Sequence, residues 1–248
     1  DIRDKILAGQ RIDDTDYRIL ESEADLFQLG FLANCIRNQK HAENLITYVI
    51  DRNINYTDIC ISACKFCAFF KQPDDERGSV LSFEQLESKI AETKNLGGTQ
   101  ILLQGGLHPD LPFEFYEEMV RFIKSKKIHL HGFSPPEIVH FASIAKTSIS
   151  EVIRRLIEAG LDSIPGGGAE ILVDRVRKKT APNKCNADQW LAVMEEAHKQ
   201  GLRTTATMMF GHIETSDERR EHLSRLRELQ DKTGGFTAFI PWPFQPDN

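Results

Sequence analysis

Nowhere in its 248 residues does the sequence hold the roughly 20 consecutive apolar residues that a membrane-spanning helix needs, and no signal peptide opens it. Basic residues are too few for a broad nucleic-acid footprint: 31 Lys and Arg face 37 Asp and Glu, a net charge of -6. The densest basic stretch, residues 175–179, has no interleaved aromatics and reads as a solvated face. Cysteine is scarce as well. There are 5, an odd count, and three of them crowd into residues 60–67, which excludes a disulfide framework. These absences predict a soluble cytoplasmic protein with no membrane and no nucleic-acid partner, built as one large domain or two small ones. The sequence starts at Asp1 without methionine and stops after a strand-like run, so it reads as part of a longer protein.

What is present has two rhythms. Residues 14–40 carry Tyr17, Leu20, Ala24, Leu26, Phe27, Leu29, Leu32 and Ile36 at helical spacing, which marks residues 1–50 as a leading helical segment. Beyond it, short runs of period-two alternation near 53–59, 99–104, 128–134, 161–164, 203–209 and 236–240 read as strands. Between them, 82–97, 113–127, 148–160, 188–200 and 216–231 read as amphipathic helices. Four of these helices open on a capping-box pair: Ser82 with Gln85, Ser148 with Glu151, Asn186 with Gln189, and Thr215 with Glu218. Alternating strand and helix implies a parallel sheet with right-handed crossovers, and the unbroken rhythm over 51–248 favours an α/β barrel of TIM type over an open sheet. Six strand-helix units are visible, two short of a full barrel.

Strand parity bears on function. His129 and His131 alternate with Ile128 and Leu130; Gln100, Leu102 and Gln104 with Ile101 and Leu103; Asn53, Asn55 and Thr57 share one face, as do Arg203, Thr205 and Thr207. The apolar faces must meet the helices, so the polar ones point inward. Ordinary barrels fill that space with branched aliphatic side chains; a polar lumen suggests an enclosed substrate cavity, or else hydrogen-bonded polar groups at strand ends.

Cys60, Cys64 and Cys67 follow the first strand at a spacing that wraps one side of a cuboidal iron-sulfur cluster. A structural zinc site wants four closed ligands, and no fourth cysteine lies nearby. Three cysteines on a 4Fe-4S cluster leave one iron open to chemistry. Zinc with a distant fourth ligand such as His108 or Cys185 is the alternative. Cys35 and Cys185 stand alone in helical or pre-helical sequence and read as small buried hydrophobes. His131 and His212 are candidates for proton transfer because imidazole titrates near neutral pH.

The run Cys60-Ile-Ser-Ala-Cys64-Lys-Phe66-Cys67 resembles the signature of the radical SAM superfamily. That resemblance implies a radical SAM (β/α) barrel, a 4Fe-4S cluster held by the three cysteines, and S-adenosylmethionine (SAM) as second cofactor, cleaved to a 5′-deoxyadenosyl radical. It places Phe66 beside the adenine and Gln104, Gly105 and Gly106 at the SAM amino group, with Leu107 where an acid often follows. By themselves, Phe66 serves equally as a core aromatic and the glycines as a tight turn. Loops at Ser134-Pro-Pro-Glu137 and Ile164-Pro-Gly-Gly-Gly-Ala-Glu170 share the rim; Glu170 either bonds the SAM ribose or substrate, or caps the next helix.

A closer resemblance lies in Gln104–Asp110, Ser134–His140, Ser163–Leu172, Met208–Thr215 and Phe239–Pro246, which are similar to the cyclic dehypoxanthine futalosine synthases of menaquinone biosynthesis. Aminofutalosine synthases and the deazaflavin-forming FO synthases share the Gly-Gly-Gly-Ala-Glu loop. The resemblance implies an oxidoreductase that takes hydrogen from the 4′ carbon of the substrate's ribose and closes the sugar onto its benzoate ring. A reduced flavodoxin or ferredoxin is the implied electron donor, and Arg203 or Arg175 is a candidate cation for the benzoate. A non-catalytic iron-sulfur or zinc-binding barrel is the reading from a different class.

Overall fold

In a computed structural model that describes residues 1–43 and 45–246, the chain divides into two compact units, Asp1–Tyr48 and Val49–Asn248. The last two residues of the expected barrel lie outside the described residues. The first unit holds α1 (Ile2–Leu7), α2 (Asp14–Glu23) and α3 (Leu26–Lys40). Asp1, Asp13 and Asp25 start them, each with a reciprocal capping box that satisfies exposed backbone donors. Only Ile6 and Leu32 are buried hydrophobics among the described residues of this unit.

The second unit is a six-stranded parallel sheet in the order β1 (Asp51–Asn55), β2 (Gln100–Gln104), β3 (His129–Gly132), β4 (Ser163–Ile164), β5 (Arg203–Phe210) and β6 (Phe236–Pro243). Its strands curl into a partial barrel with β1 and β6 as edges, and residues following β1 and within β6 reach one cavity. Within the strands parity holds: Ile54, Ile101, Leu103, Leu130, Ile164 and Ala206 are buried toward the helices, whereas Asn53, Asn55, Gln104, His131, Thr205 and Thr207 on the other face are not; Thr57, expected with Asn53 and Asn55, lies beyond β1 and is buried. The apolar face packs on α4 (Phe83–Asn95), α5 (Phe113–Ser125), α7 (Ile149–Ala159) and α9 (Ala187–Lys199) through Ile90, Val120, Ile123, Val152, Leu156, Trp190 and Val193. At about 25 cal/mol per Å² this burial is the main force holding the unit together.

All four expected N-caps are in place, and α10 (Ser216–Thr233) starts at Thr215 as read. One box is incomplete. Ser148 accepts from the Glu151 N–H, but the Glu151 carboxylate turns instead to the Arg154 guanidinium, 2.8 Å from its Nε. Among the described residues of this unit, two helices had no counterpart in the hydrophobic rhythm: α6 (Pro135–Ile144) and α8 (Asp174–Thr180). β1 is shorter than its alternation suggested: beyond Asn55 the chain leaves the regular ladder, keeping backbone bonds from Tyr56 N–H to Gln104 O and from Gly106 N–H to Thr57 O and isolated bridges from Thr57 to Val80 and Ile59 to Lys71. β4 ends after two residues at Pro165, which has no N–H for a ladder bond. No helix among the described residues is long and apolar enough to cross a membrane.

Candidate metal and cofactor site

The turn after β1 carries Cys60, Cys64 and Cys67 around one cavity of about 300 Å³ at the C-terminal ends of the strands. Local hydrogen bonds set its shape. Cys60 N–H donates to Lys71 O (2.9 Å), Ile61 N–H to Leu107 O (3.0 Å) and Cys67 N–H to Cys64 O (3.1 Å), while Ala63 takes a left-handed φ of 47°. Cys60 Sγ accepts from the backbone N–H of Leu107 (3.2 Å) and of Ser62 (3.4 Å). Cys64 is buried, with the Ser62 hydroxyl 3.3 Å from its sulfur. Burial pushes its thiol pKa up, and the Lys184 ammonium and the Ser62 hydroxyl oppose that rise.

Three free thiols around one cavity fit a 4Fe-4S cluster. Among the described residues no three His, Cys, Asp or Glu side chains gather on a point that a single ion would take. A cuboidal cluster needs no such point, since its thiolates sit on different irons.

Gly105 and Gly106, at the end of β2, form the facing wall. A Cβ on Gly105 would lie 2.4 Å from the Tyr56 ring, and one on Gly106 would lie 2.1 Å from the Ile59 carbonyl and 2.9 Å from Cys60 Cβ. Glycine is thus demanded here by the fit of the cysteine turn against β2, as well as by whatever approaches from the cavity. Beneath them lies a buried carboxylate the sequence did not single out. Glu137 accepts from Tyr56 Oη (2.7 Å), Gly105 N–H (3.1 Å), and both the N–H and hydroxyl of Ser134 (2.7 Å each). Burial pushes its pKa up to about 6 against the pull of those donors. Tyr56 itself is fully buried, edge-on to Tyr116 and Phe133.

The remaining sequence candidates divide. Phe66, Gln104, Gly105, Gly106 and Ser134 line the cysteine cavity. Glu170 does not; its carboxylate meets Lys184 Nζ at 2.8 Å and the Arg177 guanidinium at 3.6 Å. His131 also lies away from the lining, with Nδ1 2.7 Å from Ser163 Oγ, and burial and the neighbouring His129 lower its pKa to about 4. His212 lines a separate cavity that shares Phe66 with the first; its Nε2 faces Met209 O at 3.0 Å, and its Nδ1 lies 3.6 Å from the Glu214 carboxylate. Cys185 packs beside Arg177, and burial raises its thiol to about 11. Arg175 is engaged by Glu218, and Arg203 opens β5 at the rim opposite the cysteines. Lys184, unmarked by any sequence pattern, and Trp242, within the Phe239–Pro246 stretch, also line the cysteine cavity.

A model of the Radical SAM superfamily matches residues 54–226. The chain is 46% identical over its full length to cyclic dehypoxanthine futalosine synthase of Streptomyces coelicolor, covering 63% of that protein. Over 93% of its length it is 44% identical to 5-amino-6-(D-ribitylamino)uracil--L-tyrosine 4-hydroxyphenyl transferase 1 of Methanosarcina mazei, covering 60% of it. It therefore spans a little under two thirds of these curated relatives. Methylornithine synthase shares its fold, with a TM-score of 0.75 at 16% identity over 99% of this chain and 68% of that one.

Proposed function

The chain belongs to the radical SAM superfamily, and within it we infer that it cyclises dehypoxanthine futalosine in menaquinone biosynthesis. The observation that carries the reaction class is the convergence of three free thiols and the Gly105-Gly106 wall on one cavity. The substrate follows from the likeness to the Streptomyces coelicolor enzyme, supported by the Ser134–His140 and Phe239–Pro246 stretches. Cys60, Cys64 and Cys67 hold the cluster; Phe66, Gln104, Gly105, Gly106 and Ser134 flank SAM. When bound, these two groups supply a 5′-deoxyadenosyl radical.

The chain's own part is to orient and to keep water out. Glu137 fixes the Gly105 amide and the start of α6, and Phe66, Phe69, Phe70 and Trp242 give the cavity an aromatic wall. Of the two imidazoles, His212, which lines the cavity sharing Phe66 and has the Glu214 carboxylate 3.6 Å from its Nδ1, is the better placed to move a proton. Glu170 acts through Lys184. A reduced flavodoxin or ferredoxin serves as electron donor in the cytoplasm.

Anaerobically reconstituted protein, given dithionite, SAM and dehypoxanthine futalosine, should yield a product lighter by two hydrogen atoms together with 5′-deoxyadenosine. Unchanged substrate with uncoupled SAM cleavage would reject the substrate while keeping the class. The 44% identity to the hydroxyphenyl transferase favours a second trial with tyrosine and the ribitylaminouracil. Zinc in place of iron, or a cluster that never yields 5′-deoxyadenosine, would reject the class. Cys64→Ala should abolish cluster and turnover, whereas Cys185→Ala should spare both.

A further inference from the structure

Buried ion pairs usually come out neutral, because an uncompensated charge away from water is costly. The group beside the cysteine turn does not. The Glu170 carboxylate, 5% exposed, faces both Lys184 at 2.8 Å and Arg177 at 3.6 Å, one acid for two bases. Arg177 is otherwise well occupied, donating to the carbonyls of Gly168 (2.9 Å), Ala169 (2.7 Å) and Cys185 (2.6 Å). Lys184 donates to Glu170 and also reaches the cysteine cavity. Its side chain is 16% exposed, its ammonium lies 5.4 Å from the centre of the Phe66 ring, and it lines the cavity of the three cysteines. The backbone holds it there: Lys65 N–H donates to Thr180 O (2.9 Å) and Asn183 Nδ2 to Ile61 O (3.2 Å), so the segment leading to Lys184 is tied to the cysteine turn on both sides of Cys64.

We propose that Lys184 is a fixed positive charge set against the Cys64 side of the cluster, which offsets the negative charge of the metal-thiolate group and favours its one-electron-reduced state. The proposal rests on the reading that the three cysteines hold a 4Fe-4S cluster. Adding an electron makes that group one unit more negative, and a cation at short range in a poorly solvated wall stabilises the product more than the reactant. The electron comes from an external low-potential reductant; no bond changes at Lys184, which stays protonated throughout. The Glu170 carboxylate at 2.8 Å holds it as an ammonium. Glu170 and Arg177 are the other charges facing it, so the Glu170 charge opposes the effect and Lys184 is a positioning and tuning group, not a catalytic one.

The test is the reduction potential of the reconstituted protein without SAM, followed by cluster absorbance in a mediated titration, for wild type, Lys184→Met, Lys184→Arg and Glu170→Gln. Lys184→Met should lower the equilibrium constant for reduction about tenfold, about 59 mV for a one-electron couple. Lys184→Arg should restore it, and Glu170→Gln should move it the opposite way. A loaded Lys184→Met protein with unchanged potential, or Met and Gln variants shifted in the same direction, would overturn the proposal. Should Lys184→Met fail to load iron, Glu170→Gln decides: an unchanged or lowered potential rejects it. Wild-type protein that assembles no 4Fe-4S cluster rejects the cluster reading itself.

Discussion

Glu137 shows what a single buried charge does for this site. At 1% exposure it has no water to share its charge with, and four donors converge on its two oxygens. Its pKa, pushed by burial from the ordinary 4.5 to about 6, means that the folded state binds more protons than the unfolded one between those values. Stability therefore falls as pH rises through that window and levels off above it, by about 2 kcal/mol for this residue. Glu137→Gln should remove the slope. It should also cost about 1–3 kcal/mol near pH 7, because the amide NH₂ must face the N–H of either Gly105 or Ser134. Urea unfolding of both proteins near pH 4.5 and pH 7 checks this; parallel pH dependence would contradict it. The cysteines were legible because their spacing is local, whereas the importance of Glu137 depends on Tyr56, 81 residues away. Lys184 was invisible for the same reason: neither Glu170 nor the cysteine turn is its sequence neighbour.

At the scale of elements, local chemistry was the readable part. Ser82, Asn186 and Thr215 form the boxes their sequences announced. Ser82→Ala should cost about 1 kcal/mol in thermal or denaturant unfolding; no loss would show that α4 is held by packing alone. The Ser134-Pro-Pro-Glu137 run carries the same signal, but two prolines made it look like a loop. They sit in the first turn of α6, where a missing N–H is harmless. α8 is seven residues long with Val173 as N-cap and no side-chain cap, so nothing local announced it. The contact between the cysteine turn and β2 is the most exacting junction. Gly106→Ala sets a methyl against the Ile59 carbonyl, a backbone atom that cannot swing aside. Iron per protein after reconstitution should drop severely while far-ultraviolet dichroism stays near that of wild type; a full iron complement would refute this.

For the molecule as a whole, nearly all the buried apolar side chains belong to Val49–Asn248, while the first unit buries Ile6 and Leu32 and leaves Leu26 and Phe27 more than three-quarters exposed. Backbone protection should follow that division. In hydrogen-exchange mass spectrometry, α1–α3 should exchange well before β2, β3, α5 and α9; equal protection would contradict it. The strand-helix alternation told of a parallel sheet, since burial on one face imposes the period-two pattern that sequence records. How far the sheet curls, and which side chains then meet, depends on contacts between distant strands. One such meeting has an optical consequence. The chain has 2 tryptophans: Trp190 is fully buried and bonded through Nε1 to Gly167 O, and Trp242, 40% exposed, stands in the cavity wall. Emission at the long-wavelength side therefore comes from the residue that a bound cofactor would cover. Adding SAM to the loaded protein should shift that emission to shorter wavelength, and Trp242→Phe should abolish the shift, so that the cavity carries its own gauge of whether it is filled.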